Sequence, residues 1–165
     1  WGPWHWRYPK EFWKVLAEGK YIHPHSNSPV VRSYGYVGNI VWQIVRIIEL
    51  EESKINKQVF YVGDKPINIL DWASAFSLAL RGTKVKIVPA FLIYILGLIG
   101  DVLRLIGITF PITTSRYKSM TTSNDAPMQK TFDVLGAPPF SMETGVLKTI
   151  EWLKIHHPEL IKKKG

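Results

Sequence analysis

The stretch that most restricts what this chain can become is Val30 to Asn39, Val-Val-Arg-Ser-Tyr-Gly-Tyr-Val-Gly-Asn, with Ile40 to Glu49 directly behind it. Its β-branched and aromatic residues suit a pleated, half-buried strand. Behind it, apolar residues at 40, 41, 44, 45, 47 and 48 repeat at the spacing of one helix face. The pattern predicts a strand running into a helix, with Asn39 as the helix cap and Gly38 allowing the tight corner in front of it. Arg32 then sits on a rigid strand close to that corner. Its planar fork of donors suits a phosphate or a carboxylate. The competing reading is a surface arginine paired with a nearby acid.

Glycine and proline punctuate the rest of the chain. Trp1 to Tyr8 is an aromatic turn around Gly2-Pro3, and Pro9 opens a short helix, Lys10 to Glu18, ended by Gly19. Tyr21 to His23 suggests a short strand, followed by a loop from Pro24 to Pro29 that carries His25. Gln58 to Val62 is expected as a second strand, turning at Gly63-Asp64-Lys65-Pro66. Asn68 and Asp71 make a cap and first-turn acid for a helix reaching about Leu80 and stopped by Gly82. Lys84 to Val88 is expected as a third strand. No charge occurs from Ile87 to Gly100, a run short of the ~20 apolar residues a membrane span needs. We read the helix after Pro89 as buried; a peripheral membrane or lipid contact through Phe91–Ile108 is the alternative. Phe110 to Asn124 reads as a Thr/Ser-rich loop with Arg116 and Lys118, and Ala126 to Leu135 as a short helix ended by Gly136. Ser141 caps the last helix, with Met142, Val146, Ile150 and Leu153 on its inner face.

With 165 residues, 46% of them hydrophobic, the chain can bury a core and is not a disordered segment. It has no cysteine, which excludes disulfides, thiolate metal sites and thiol nucleophiles and fits a cytoplasmic location. A net charge of +8 suits an anionic partner: nucleic acid, an acidic membrane surface or a phosphorylated ligand. Part of it belongs to a basic tail, residues 158–165, with Lys162, Lys163 and Lys164. Trp4, Trp6, Tyr8, Trp13 and Tyr21, interleaved with Arg7, Lys10 and Lys14, are either a stacking platform or core and rim around a turn. No nucleic-acid module accompanies them, so nucleic acid is not an expected partner. His5, His23 with His25, and His156 with His157 lack ligand company at metal spacing, and no metal is expected. Tyr61 and Lys65 have the Y-x-x-x-K spacing of a dehydrogenase pair, but that pairing needs a helix and the segment reads as a strand end and turn. No glycine-rich nucleotide loop is present.

The order of these features resembles the carboxyl-terminal half of extended short-chain dehydrogenases, in particular the NAD-dependent epimerase/dehydratase family. The resemblance rests on Gly2-Pro3, on Arg32 to Asn39 against R-D-Y-x-x-V-x-D, and on Phe60-Tyr61-Val62-Gly63-Asp64. It continues through Lys130 to Gly136, Pro138 and Ser141 to Trp152, against K-x-x-x-x-L-G-x-x-P and S-x-x-E-G-x-x-x-T-x-x-W, and covers roughly Trp1 to Leu153. Ser33 and Asn39 stand where the family pattern has aspartates.

The resemblance implies an α/β fold, mostly helical with a few short strands: residues 1–157 as the substrate-binding half of a Rossmann-type enzyme. The start, Trp1-Gly2-Pro3-Trp4, has no initiator methionine or signal peptide, and we expect a cofactor-binding half before residue 1. That half would hold NAD or NADP and the catalytic Tyr/Lys pair, leaving no catalytic residue in this chain. Implied site residues are Gly2 and Pro3 beside the nicotinamide, Arg32 and Arg116 on the substrate phosphate, and His23, Pro24 and Tyr34 around a sugar. The expected partner is a small molecule, a nucleotide sugar, bound by a homo-oligomer. Two alternatives stand: a 3β-hydroxysteroid-type or lipid-linked substrate, which the apolar Phe91–Ile108 helix suggests, and a non-enzymatic basic interaction domain.

Overall fold

A computed structural model describes residues 1–161. Its core is a three-helix packing of α1 (Phe12–Ala17), α4 (Ile69–Arg81) and α8 (Met142–His156). Trp13, Leu16 and Ala17 meet Trp72, Phe76 and Leu80, whose i, i+4, i+8 spacing keeps them on one face, and Val146, Ile150 and Leu153 close the third side. The ends of these helices follow from their sequence. Asn68 accepts the Leu70 N–H at 3.1 Å and Ser141 the Thr144 N–H at 3.2 Å, while Gly82 closes α4 in the left-handed region at φ 76°. Leu160 packs under the core from a single 3-10 turn, Pro158–Leu160. Of the expected basic tail, residues 158–161 are described, and Lys162 to Lys164 lie outside the described residues.

Two small sheets flank this core. β1 (Ile22–Pro24) pairs in parallel with β4 (Lys86–Val88), His23 opposite Ile87. β2 (Val31–Arg32) pairs antiparallel with β3 (Ile67–Asn68), Arg32 opposite Ile67. The remaining helices are α2 (Val37–Ile48), α3 (Glu52–Ile55), α5 (Ala90–Leu105), α6 (Thr114–Thr121) and α7 (Gln129–Leu135).

Four expectations are corrected. The long strand to Asn39 is only Val31–Arg32, and α2 starts at Val37 with Tyr36 as its cap. The Val37 amide is satisfied by the Trp1 carbonyl at 2.8 Å, so no cap side chain is needed there. Gln58 to Val62 forms no strand among the described residues. The Phe110–Asn124 loop contains α6, whose cap Thr113 accepts the Arg116 N–H, while Asp101 of α5 accepts the amide and hydroxyl of Thr114. Finally, α5 is not buried. Ile93, Gly97 and Gly100 turn inward, and most of the other large apolar side chains of the helix face outward.

Candidate functional site

Arg32 is fixed at its root from both sides. Besides the β3 pairing, Val31 accepts the Asn124 N–H at 3.0 Å and donates its own N–H to Ser123 Oγ at 3.1 Å. Ser33 donates its N–H to the Asn124 carbonyl, and its hydroxyl accepts the Ala126 N–H at 2.7 Å. At its tip, Arg32 Nη2 donates to the Ser119 carbonyl of α6 at 2.7 Å, while the buried Nε has no hydrogen-bond partner. A guanidinium held by one amino group, with a buried donor unspent, is suited to an anion on its remaining edge.

The inner face of α2 is built from amides, a feature the apolar spacing of the helix hid. Asn39 donates to the Phe140 carbonyl at 2.8 Å and accepts the Phe140 N–H at 3.0 Å, and its amide also reaches Asp64 Oδ1 at 2.6 Å. One turn on, Gln43 makes the same two-way contact with Gly63: Nε2 to the carbonyl at 2.8 Å, and Gly63 N–H to Oε1 at 2.7 Å. Only a carboxamide can donate and accept in this way at neutral pH. Asp64 Oδ2 accepts the Tyr36 N–H at 2.6 Å. Burial pushes the Asp64 carboxyl up from its ordinary value, against the opposing hydrogen bonds from Tyr36 and Asn39. The signal available in the sequence was two amides at i, i+4 inside a largely apolar helix.

The other candidates are distributed around this frame. His23 is buried and Tyr21 Oη lies 3.1 Å from its Nδ1; burial lowers its pKa to about 4. His23 and Pro24 line a cleft of about 280 Å³ with the Ser26–Pro29 loop, Asn68 and Leu70. Tyr34 lies on Trp72, ring centroids 5.1 Å apart, and burial raises its pKa. Arg116 is on α6, three residues before the Ser119 carbonyl that holds Arg32, but its own guanidinium pairs with Glu11 at 3.4 Å. Gly2 is buried at φ 128°, and an added Cβ would meet Val37 and the Tyr36 ring. Gly2 therefore offers packing, not an open surface. Trp13, Tyr8 and Tyr21 belong to the core or its margin, whereas Trp4 and Trp6 are exposed. Among the described residues no three His, Asp or Glu side chains converge as a metal site.

No family model matches the sequence, and no curated protein matches it significantly. Two solved structures are similar in fold. One is a UDP-glucuronic acid 4-epimerase from Bacillus cereus, solved with UDP-glucuronic acid and NAD: TM-score 0.58, 15% identity, 95% of this chain against 43% of that one. The other, solved under the name gox2253, has TM-score 0.58 and 15% identity over 94% of this chain and 47% of that one. The chain thus has the mostly helical α/β fold of part of these structures and spans less than half the length of either neighbour.

Proposed function

We propose that this chain is the substrate-binding portion of an NAD(P)-dependent oxidoreductase or epimerase that acts on a nucleotide sugar. Arg32 carries the reading: its fixed root, its single tether to Ser119 and its unspent buried Nε prepare it for a substrate phosphate. Arg116 is the second cation on the same helix that Arg32 reaches, and the His23–Pro24 cleft with Tyr34 beyond it takes the sugar.

NAD or NADP, when bound, supplies hydride transfer. It belongs to a cofactor half outside these residues, with Pro3 and the packed Gly2 turn at its edge. The outward apolar side of α2, with Val41, Ile44, Val45 and Ile48, together with Val59 and Tyr61, is the seat for that half. The enzyme works in the cytoplasm as a homo-oligomer.

The test is calorimetric titration of a UDP-sugar into the full-length protein. A charge-assisted contact contributes about 1.5–3 kcal/mol, so Arg32→Ala should weaken substrate binding roughly ten- to a hundredfold. Arg32→Lys should recover only part, because an ammonium cannot reproduce the fork. Cofactor affinity should not change. Unaltered substrate affinity in Arg32→Ala, with the melting transition intact, would make Arg32 a structural residue and end this reading.

A further inference from the structure

On a helix at the surface of a water-soluble protein, large apolar residues face the core. In α5 the arrangement is inverted. The inward stripe Ile93, Gly97, Gly100 carries two residues without side chains, and the chain leading into α6 closes onto it: a Cβ on Gly97 would stand 3.0 Å from the Thr113 carbonyl carbon. The outward stripe is Phe91, Ile95, Leu98, Val102 and Leu105, spaced i, i+4, i+7, i+11, i+14, with Val102 61% and Leu105 86% exposed. Leu92, Ile99, Ile106 and Ile108 widen it. This is a continuous apolar face along about 24 Å of helix, far beyond scattered surface residues.

Charge selects the occupant. Between residues 81 and 122 Asp101 is the one acidic residue, and its carboxylate is taken up by Thr114. Lys84 and Lys86 precede the amino end of α5, Arg104 stands at its carboxyl end, and Arg116 and Lys118 lie on the adjacent α6; all five are exposed. Arg104 and Arg116 line one cleft of about 440 Å³ with Thr109, Phe110 and Thr113, at the end of the apolar face. Arg116 also contacts Glu11 at 3.4 Å. Apolar residues in one stripe and cations at both ends match a helix that lies in the plane of an anionic bilayer. Among the described residues no helix is long and apolar enough to cross a membrane.

We propose that α5 and α6 form a peripheral docking surface for anionic phospholipid bilayers, with the Phe91–Leu105 stripe immersed and Arg104 at the headgroup phosphates. This surface does not depend on the substrate reading of Arg32 and would persist if that reading failed.

Vesicle flotation with the full chain tests it, comparing phosphatidylcholine alone with a phosphatidylcholine–phosphatidylglycerol mixture. The chain should float with the anionic vesicles and much less with the neutral ones. Val102→Glu with Leu105→Glu should weaken binding roughly tenfold or more at an unchanged melting temperature. Arg104→Gln should cost about fivefold, the worth of one surface charge. Because the chain has no cysteine, Val102→Cys can carry an environment-sensitive dye. Its emission should shift to the blue on anionic vesicles, whereas a dye at exposed Leu147 of α8 should not respond. Absence of flotation overturns the proposal, as does flotation indifferent to the paired glutamates. A second copy of the chain on α5 also overturns it; this would appear as a dimer in sedimentation that the glutamates dissociate, without vesicle binding.

Discussion

Gln43 offers a test of the amide frame on the inner face of α2. It is fully buried, 0% exposed, and satisfies both backbone groups of Gly63, which belongs to a segment 20 residues away. Gln43→Leu keeps roughly the volume and apolarity but leaves the Gly63 N–H and C=O without partners. Each unsatisfied buried group costs about 1–3 kcal/mol, so the pair should cost about 2–6 kcal/mol, less whatever water can restore. For a chain of this size each kcal/mol lowers the melting temperature by about 2–4 °C, giving a fall of roughly 5–20 °C. Gln43→Glu separates hydrogen bonding from packing. A carboxylate can accept from Gly63 N–H but confronts the Gly63 carbonyl, and only the protonated acid can donate to it. The folded state therefore raises the pKa of this glutamate above its unfolded value. Its stabilising contribution is complete below about pH 4 and disappears as pH rises through the raised folded value. Urea unfolding from pH 3.5 to 7.5 reads this as a relative gain of the variant over wild type towards acid. A Gln43→Leu protein within about 1 kcal/mol of wild type, or a glutamate variant with no such pH trend, would refute the reasoning.

Two further expectations are independent of this frame. His23, whose pKa burial depresses to about 4 from 6.5, favours its neutral form in the fold. Its contribution is therefore present above about pH 6.5 and lost as pH falls towards 4, about 2–3 kcal/mol by pH 4.5; His23→Gln should remove that part of the acid slope in urea unfolding, and an unchanged slope would count against it. In α5, alanine at position 100 would drive its Cβ into the Ile112 carbonyl and against Phe110. Despite the better helix propensity of alanine, Gly100→Ala should cost about 1–3 kcal/mol; a calorimetric melting temperature equal to or above wild type would show that α5 and α6 part without strain.

What the sequence disclosed depends on how local the deciding physics is. The Asn68 and Ser141 caps and the Gly19, Gly82 and Gly136 stops act within a turn of chain and stand where they were expected. The inner face of the last helix was legible for the same reason. Asn39 was not: its partners are 25 and 101 residues away, and the hydrogen bonds to Phe140 and Asp64 displace the capping role its position suggested. Likewise α6 looked like loop because half of its start is supplied by Asp101, on another helix. Hydropathy also could not orient α5, where Gly97 and Gly100, with no apolar signal of their own, join Ile93 on the inward face and most of the leucines and isoleucines do not. Gln58 to Val62 has strand composition but no neighbour among the described residues to pair with. For the site, the strand position of Arg32 was readable; its tether to Ser119 and the packing of Gly2 under Tyr36 required three dimensions.

The aromatic core has an optical consequence. Phe12 stacks on Trp72 at 4.7 Å and 8°, Trp1 meets Trp72 edge-on at 6.0 Å, and Trp152 links Trp4 at 5.6 Å to Trp13 at 6.4 Å. Indoles this close share their excitation, so near-ultraviolet circular dichroism should carry strong coupled bands that vanish when α1, α4 and α8 separate. Of the other two indoles, Trp6 is exposed and Trp42 rides on α2, half-buried. The stretch from Lys84 to Thr122 contains no tryptophan. Intrinsic emission therefore follows the core and α2 but is blind to α5 and α6, so those two helices could change their surroundings without altering the native protein's colour.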